Sequence, residues 1–260
     1  MHLGGNTVLI TGGGTGIGLA LAVRYLNAGS RVIIVGRRAE KLAEAKEKHP
    51  SLITRVCDIS DEDERKELFR WVTEEYPEIN ILVNNAGIQR PINLSRAGDD
   101  WNRYRGEIAT NLEAPIHLCM LFVPYLMDKE GTAIVNVSSR LGIMPAVWVP
   151  IYSSTKTAVH FFTRALRMQL QNKKISIHEI LPPMVNTDLA GVGAQASGVD
   201  VDAFADGVMA KLEAGVEEIG YANSELALKD EYTSSVAMAE AAKLWDIFSH
   251  KNPLFENLLD

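Results

Sequence analysis

Cysteine is scarce in this chain: Cys57 and Cys119 are the only two, and their setting suggests neither a metal site nor a disulfide framework. Both are expected to be buried structural thiols. Long hydrophobic runs are missing too, since apolar stretches such as residues 118–127 fall well short of a membrane span. The beginning, MHLGGNTVLITGG, has no basic segment and no sustained apolar one, so no signal peptide is expected and a cytoplasmic location is. Nor is there an excess of positive charge. Twenty-six Lys and Arg against 33 Asp and Glu leave a net charge of -7, which argues against nucleic acid or an anionic membrane as partner. A local basic pocket for an anionic ligand is still allowed.

What is present is an ordinary globular composition, 47% hydrophobic and 23% charged over 260 residues, enough for one α/β domain with ample core. Short apolar runs at 7–11, 31–35, 53–58, 81–84, 132–138 and 176–181 are rich in Val and Ile and continuous rather than alternating, as buried parallel strands are. Between them, 16–28, 39–48, 61–75, 111–129 and 151–171 carry helical patterns, and Asp61 followed by Glu64 reads as an N-cap with a capping box. Further on, 203–214 reads as a helix and 218–221 as a short strand. The alternation predicts a parallel sheet covered by helices on both faces, a doubly wound α/β fold in a single domain spanning 1–260.

The first strand runs into TGGGTGIG and then into a helix. Five glycines in eight positions cost backbone entropy, and a strand–glycine–helix setting is where helix N–H groups receive a pyrophosphate. The plain alternative is a flexible turn. The spacing G-x-G-x-x-G fails, because it would put Ile17 where a glycine belongs, and no Gly-Lys-Ser/Thr follows for a hydrolytic phosphate loop. The spacing T-G-x-x-x-G-x-G fits Thr11, Gly12, Gly16 and Gly18, with Thr15 and Ile17 between the glycines.

In that spacing the segment resembles the cofactor loop of the short-chain dehydrogenase/reductase family, and other residues repeat the match. Asn84-Asn85-Ala86-Gly87 is similar to the family's N-N-A-G, and Asn111 stands at its helix asparagine. Val137-Ser138-Ser139 ends the fifth strand, Tyr152 and Lys156 form its Y-x-x-x-K, and Pro182 to Thr187 resembles its P-G-x-V-x-T, with Pro183 for the glycine. The likeness covers about residues 7–187, and details around Ile88 and Glu217 resemble a bacterial-type branch of oxidoreductases without assigned reactions. It implies a Rossmann fold, a nicotinamide cofactor and hydride transfer between that cofactor and a carbonyl or alcohol. The alternative is a non-catalytic, NADP(H)-responsive regulator on the same scaffold.

The residue types suit that chemistry. The alkoxide left by hydride addition must be protonated by an acid that can be regenerated near neutral pH. A free tyrosine, with pKa about 10, is too weak, but an ammonium one helical turn away can lower it. Tyr152 and Lys156, at i and i+4, share one helix face. Taken alone, they would read as a half-buried helix tyrosine and a solvated charge. By the resemblance Ser139, thirteen positions before Tyr152, holds the substrate oxygen, while Ser138 is structural. Asn111 would hold a water linking Lys156 to solvent. Its plain reading is an amide bonding neighbouring backbone.

At the end of the second strand, Gly36-Arg37-Arg38 stands where an NAD-selecting protein places an acid. Guanidinium groups fork onto a 2′-phosphate, so NADP(H) is expected, with Arg37 as main contact and Arg38 helping. Both could instead be solvated, and Thr15 occupies a position that is basic in many NADP-using relatives. The resemblance places Asp58 and Ile59 at the adenine, Asn84, Ala86 and Gly87 along the cofactor, and Pro182, Val185 and Thr187 near the nicotinamide. Residues 141–150 are almost wholly apolar, so Met144 and Trp148 are expected to border a hydrophobic small-molecule substrate, or else the segment packs on the core or a partner. Residues 188–206 are expected to form a lid, with Gly191, Gly193 and Gly198 permitting movement. The extension 226–260 covers the site, covers a neighbouring subunit or extends the core. Apolar residues on the helices around 118–122 and 161–170 read as core, although the resemblance makes these helices the contact of a homodimer or homotetramer. No metal is expected.

Overall fold

The computed structural model describes residues 1–92, 94, 98, 101–146, 148–191, 193 and 195–233. The apolar pattern at 238–248, most of the extension 226–260 and Val147 lie outside them.

β1 (Thr7–Thr11), β2 (Arg31–Gly36), β3 (Ile53–Val56), β4 (Ile81–Asn84), β5 (Ala133–Val137), β6 (Ser176–Leu181) and β7 (Glu218–Gly220) form one parallel sheet in the order β3-β2-β1-β4-β5-β6-β7. The alternation of strands and helices had predicted this doubly wound architecture. β1, β4 and β5 are buried along their whole length, while β3, at the edge, is half-exposed. β3 also stops short of Asp58, because that carboxylate accepts from the N–H and hydroxyl of Ser60 and turns the chain.

Successive strand residues point to opposite faces, so two cores form. Val8, Ile10, Val32 and Ile34 meet Leu21 and Tyr25 of α1 (Gly16–Asn27) and Phe204 and Val208 of α7 (Val201–Glu213). Leu9, Ile33 and Leu82 meet Leu68 of α3 (Glu62–Glu75), Phe122 of α5 (Ala114–Leu126) and Leu166 of α6 (Pro150–Gln169). Burying each such side chain contributes about 1.5–3 kcal/mol, which is why neither face is left uncovered. α2 (Ala39–Lys48) completes the first layer against β2 and β3.

Local chemistry sets the helix ends. Asp61 caps α3 by accepting from Asp63 and Glu64 N–H, as its position predicts. Glu64 does not return the bond to Asp61; it accepts instead from Asp58 N–H at 2.7 Å, so the capping box is only half formed. The single helix expected over 111–129 is longer and broken in character. It begins as α4 (Trp101–Ile108), passes through one π-helical turn (Ala109–Glu113) and continues as α5 to Leu126. α4 is polar on most sides, so its periodicity was weak. A π turn often marks a functional site, and here it carries Asn111.

The expected lid is also shorter. Residues 201–206 already belong to α7, capped by Asp200, which accepts from Asp202 and Ala203 N–H. Gly198 serves packing rather than movement: a β-carbon there would lie 2.7 Å from the Asn186 nitrogen, beside the Val185–Val199 bridge. Leu118, Phe122, Leu166 and Leu170 are core, as expected, whereas Phe161 on α6 and Met120 on α5 are exposed. Among the described residues, no helix is long and apolar enough to cross a membrane.

Candidate active site

Strand order reverses between β1 and β4, and the crevice beyond the carboxyl ends of these strands is where open α/β sheets bind ligands. A cleft of about 830 Å3 opens there. The β1–α1 turn forms one wall. Gly12 and Gly16 have positive φ, 65° and 54°, and a β-carbon on Gly12 would lie 2.8 Å from the Ala86 Cα. On Gly18 it would lie 2.4 Å from the Gly12 carbonyl oxygen. Glycine is therefore required twice for close approach. Thr15 occupies the N-cap of α1 without a side-chain cap, so the first N–H groups of the helix face the cleft unclaimed by that side chain. An anionic phosphate suits this wall.

Most of the expected cofactor contacts border the cleft: Gly12, Thr15, Gly16, Ile17 and Gly18 from the first turn, Arg37, Arg38, Asp58 and Ile59 beyond β2 and β3, then Ala86, Gly87, Pro182, Val185 and Thr187. Asn84 does not. It is buried behind the wall, donating to Asn136 at 2.9 Å, while Asn85 borders the cleft and donates to the Thr11 carbonyl. Arg38 donates to the Thr15 hydroxyl at 3.1 Å, and the half-exposed Arg37 lies 3.6 Å from Asp58. Lys41, which sequence reading did not single out, borders the same end.

At the other end, β5 delivers Ser139. Its side chain caps a short 3-10 turn (Arg140–Gly142) by accepting from Leu141 N–H at 3.1 Å. Tyr152, on the first turn of α6, is 5% exposed. Burial pushes its phenol up to about 12; a hydrogen bond with Ser139 pulls it down and the charge of Glu107 pushes it up. Lys156 is buried one turn on, and burial brings its amine down to about 8 against an opposing pull from Glu179. The amine donates to the Val137 carbonyl at 2.8 Å and lies 5.7 Å from the centre of the Tyr152 ring. The shared helix face is as the spacing predicts. The expected electrostatic lowering of the phenol by Lys156 is not seen: the amine is turned to the strand carbonyl, and burial dominates.

Asn111 accepts from Ile88 N–H at 2.8 Å and donates to the Ile88 carbonyl at 2.8 Å and to Thr155 at 3.3 Å. These contacts are those of its plain reading. Asn111, Asn84 and Lys156 also line a second cavity of about 10 Å3, the size of one water, and the Asn84 amide oxygen has no hydrogen-bond partner among the described residues. Of the apolar segment, Ala146 and Val149 pack on Tyr152, Trp148 borders the cleft at 62% exposed, and Met144 is exposed against Arg140 without bordering it. Packing and cleft wall are thus divided among its residues.

Two buried carboxylates escaped sequence reading. Glu107 is fully buried in α4, four residues before Asn111. Glu179, fully buried in β6, bonds Ser138 and His160. Only the position of His160, four residues after Lys156, could have hinted at the latter.

Comparison with known proteins matches residues 6–197 to the short chain dehydrogenase family model. A Bacillus subtilis (strain 168) protein named uncharacterized oxidoreductase DltE is 46% identical over 189 residues, 73% of this chain and 75% of its own. Human 15-hydroxyprostaglandin dehydrogenase [NAD(+)] is 32% identical, covering 72% and 71%. The 3-oxoacyl-[acyl-carrier-protein] reductase FabG of Thermotoga maritima is 31% identical, covering 73% and 78%.

Proposed function

The chain belongs to the short chain dehydrogenase family of oxidoreductases, which use a nicotinamide cofactor, and from that premise we propose that it is an NADP(H)-dependent carbonyl reductase or alcohol dehydrogenase of a hydrophobic small molecule. The observation that carries this reading is the buried alignment of Ser139, Tyr152 and Lys156 at the inner end of a cleft whose outer end holds Arg37 and Arg38.

A bound nicotinamide would supply or accept the hydride at the carbonyl carbon. Tyr152 donates the proton to the carbonyl oxygen in reduction and takes it back in oxidation, and Ser139 holds that oxygen beside the phenol. Lys156 stabilises the phenolate once its amine swings from Val137 toward the hydroxyl. Asn111 fixes the Ile88 backbone, and the small cavity it shares with Lys156 gives a water a place from which the proton is replaced. Arg37 and Arg38, which border the outer end of the cleft, would hold the 2′-phosphate.

Relatives named for NAD(+) use show that membership alone does not choose between cofactors, so the arginine pair supports NADP(H) here. Exposed Trp148 supports an apolar substrate, and exposed Met120 and Phe161 on α5 and α6 support a homodimer or homotetramer. A cytoplasmic location and a lid role for Asp188, Leu189 and Ala190, which border the cleft, complete the reading. The test follows NADPH and NADH absorbance against aromatic ketones, diketones and quinones. Turnover abolished by Tyr152→Phe supports it. Binding of NADPH without any such turnover favours the regulatory alternative.

A further inference from the structure

An ammonium at Lys156 would stand in a place that does not favour a charge. Its amine is fully inside the protein, 2.8 Å from the Val137 carbonyl, and a carbonyl dipole alone does not balance an ammonium. The residue just past the strand, Ser138, turns its hydroxyl to the carboxylate of Glu179 on β6. His160, one helical turn beyond Lys156, reaches the same carboxylate from above, with Nδ1 2.9 Å from each oxygen. The residue that follows the lysine's carbonyl partner and the residue one helical turn past the lysine therefore converge on one carboxylate.

We propose that Glu179, clamped by Ser138 and His160, is the buried counter-charge that keeps Lys156 an ammonium, and so is a positioning residue for the proton transfer at Tyr152. The assignment rests on the reductase reading for its functional meaning, but its physical content does not. Burial alone would neutralise both groups, pushing Glu179 up and Lys156 down. Donation to the carboxylate from Ser138 and His160 rewards its charged form, and the charge of Glu179 in turn pulls the Lys156 amine up toward its ammonium form.

α6 contributes Tyr152, His160 and Arg164; β7 contributes Glu218, which disfavours a second negative charge and is itself bonded by Arg164 at 2.8 Å. On the far side, Glu107 of α4 acts on Tyr152. β5 brings Asn136, paired in register with Glu179, and Ser138 follows at its end.

The experiment is an NMR titration of the Lys156 amine in isotope-labelled full-length protein, assigned with Lys156→Met. In Glu179→Gln the midpoint should fall by about one to three pH units at an unchanged melting temperature. An unchanged midpoint would overturn the proposal. Should that variant not fold, wild type suffices: the Glu179 carboxyl resonance should step at the Lys156 midpoint and lose the step in Lys156→Met. A Glu179 signal indifferent to Lys156 would equally overturn it. Neither readout needs substrate, so a failed search for turnover and a failed counter-charge are told apart.

Discussion

A β-carbon on Gly142 would lie 2.8 Å from the carbonyl oxygen of Lys156. The 3-10 turn after Ser139 therefore seats directly on the helix that carries the phenol and the amine, and this contact fixes the separation of Ser139 from Tyr152. Gly142→Ala should push the turn off α6, costing about 1–3 kcal/mol of stability by overpacking. Turnover should fall about tenfold or more, because Ser139 and Tyr152 would no longer converge on one oxygen. Cofactor affinity, measured by fluorescence titration, should stay within about twofold. Unaltered turnover would show that the turn does not set the geometry.

Tyr152→Phe removes only the hydroxyl from a buried ring. Turnover of any substrate found should drop about 100- to 10,000-fold, the usual worth of a positioned acid. Because the phenol oxygen has been desolvated, the phenylalanine variant should melt no lower than wild type. Steady-state rates and thermal melts together check this.

Arg37 is half-exposed and only 3.6 Å from Asp58, so it is free enough to turn to a 2′-phosphate. Arg37→Asp should lower the NADPH-over-NADH preference in kcat/KM by about 10–100-fold, the loss of one hydrogen bond to a charged group. An unchanged ratio would transfer the role to Arg38, which the Thr15 hydroxyl already holds, or to Lys41.

Much of this was legible in the sequence for physical reasons. Fully buried parallel strands favour continuous apolar runs, which made β1 and β4 readable to the residue. The i, i+4 spacing of Tyr152 and Lys156 shares a face in any α-helix, and Asp61 caps from its own side chain. What was hidden depends on neighbours distant in sequence. The π turn at Asn111 adds a residue per turn that no periodicity reveals, and α4 before it lacks a clean apolar stripe. Gly198 reads as a hinge and is instead a close approach to Asn186. Glu179 sits beside His178 in a strand of mixed pattern that does not single it out, and its value lies in Ser138 and His160, 41 and 19 residues away.

Glu107 offers a pH test of the site's electrostatics. It is fully buried, neither oxygen has a hydrogen-bond partner among the described residues, and its charge bears on Tyr152. Burial pushes the carboxyl from 4.5 up to about 7; the Arg90 guanidinium and backbone N–H pull against this from nearby without closing a hydrogen bond. The folded state therefore holds this proton more tightly than the unfolded chain. Stability contributed by the neutral carboxyl is fully present below about pH 4.5 and is lost as pH rises toward and through about 7. Glu107→Gln keeps the shape and cannot ionise. Denaturant melts should show little difference from wild type near pH 4.5, and a variant more stable by roughly 2–3 kcal/mol near pH 8. A stability difference independent of pH would mean that Glu107 is ionised throughout this range, balanced by Arg90.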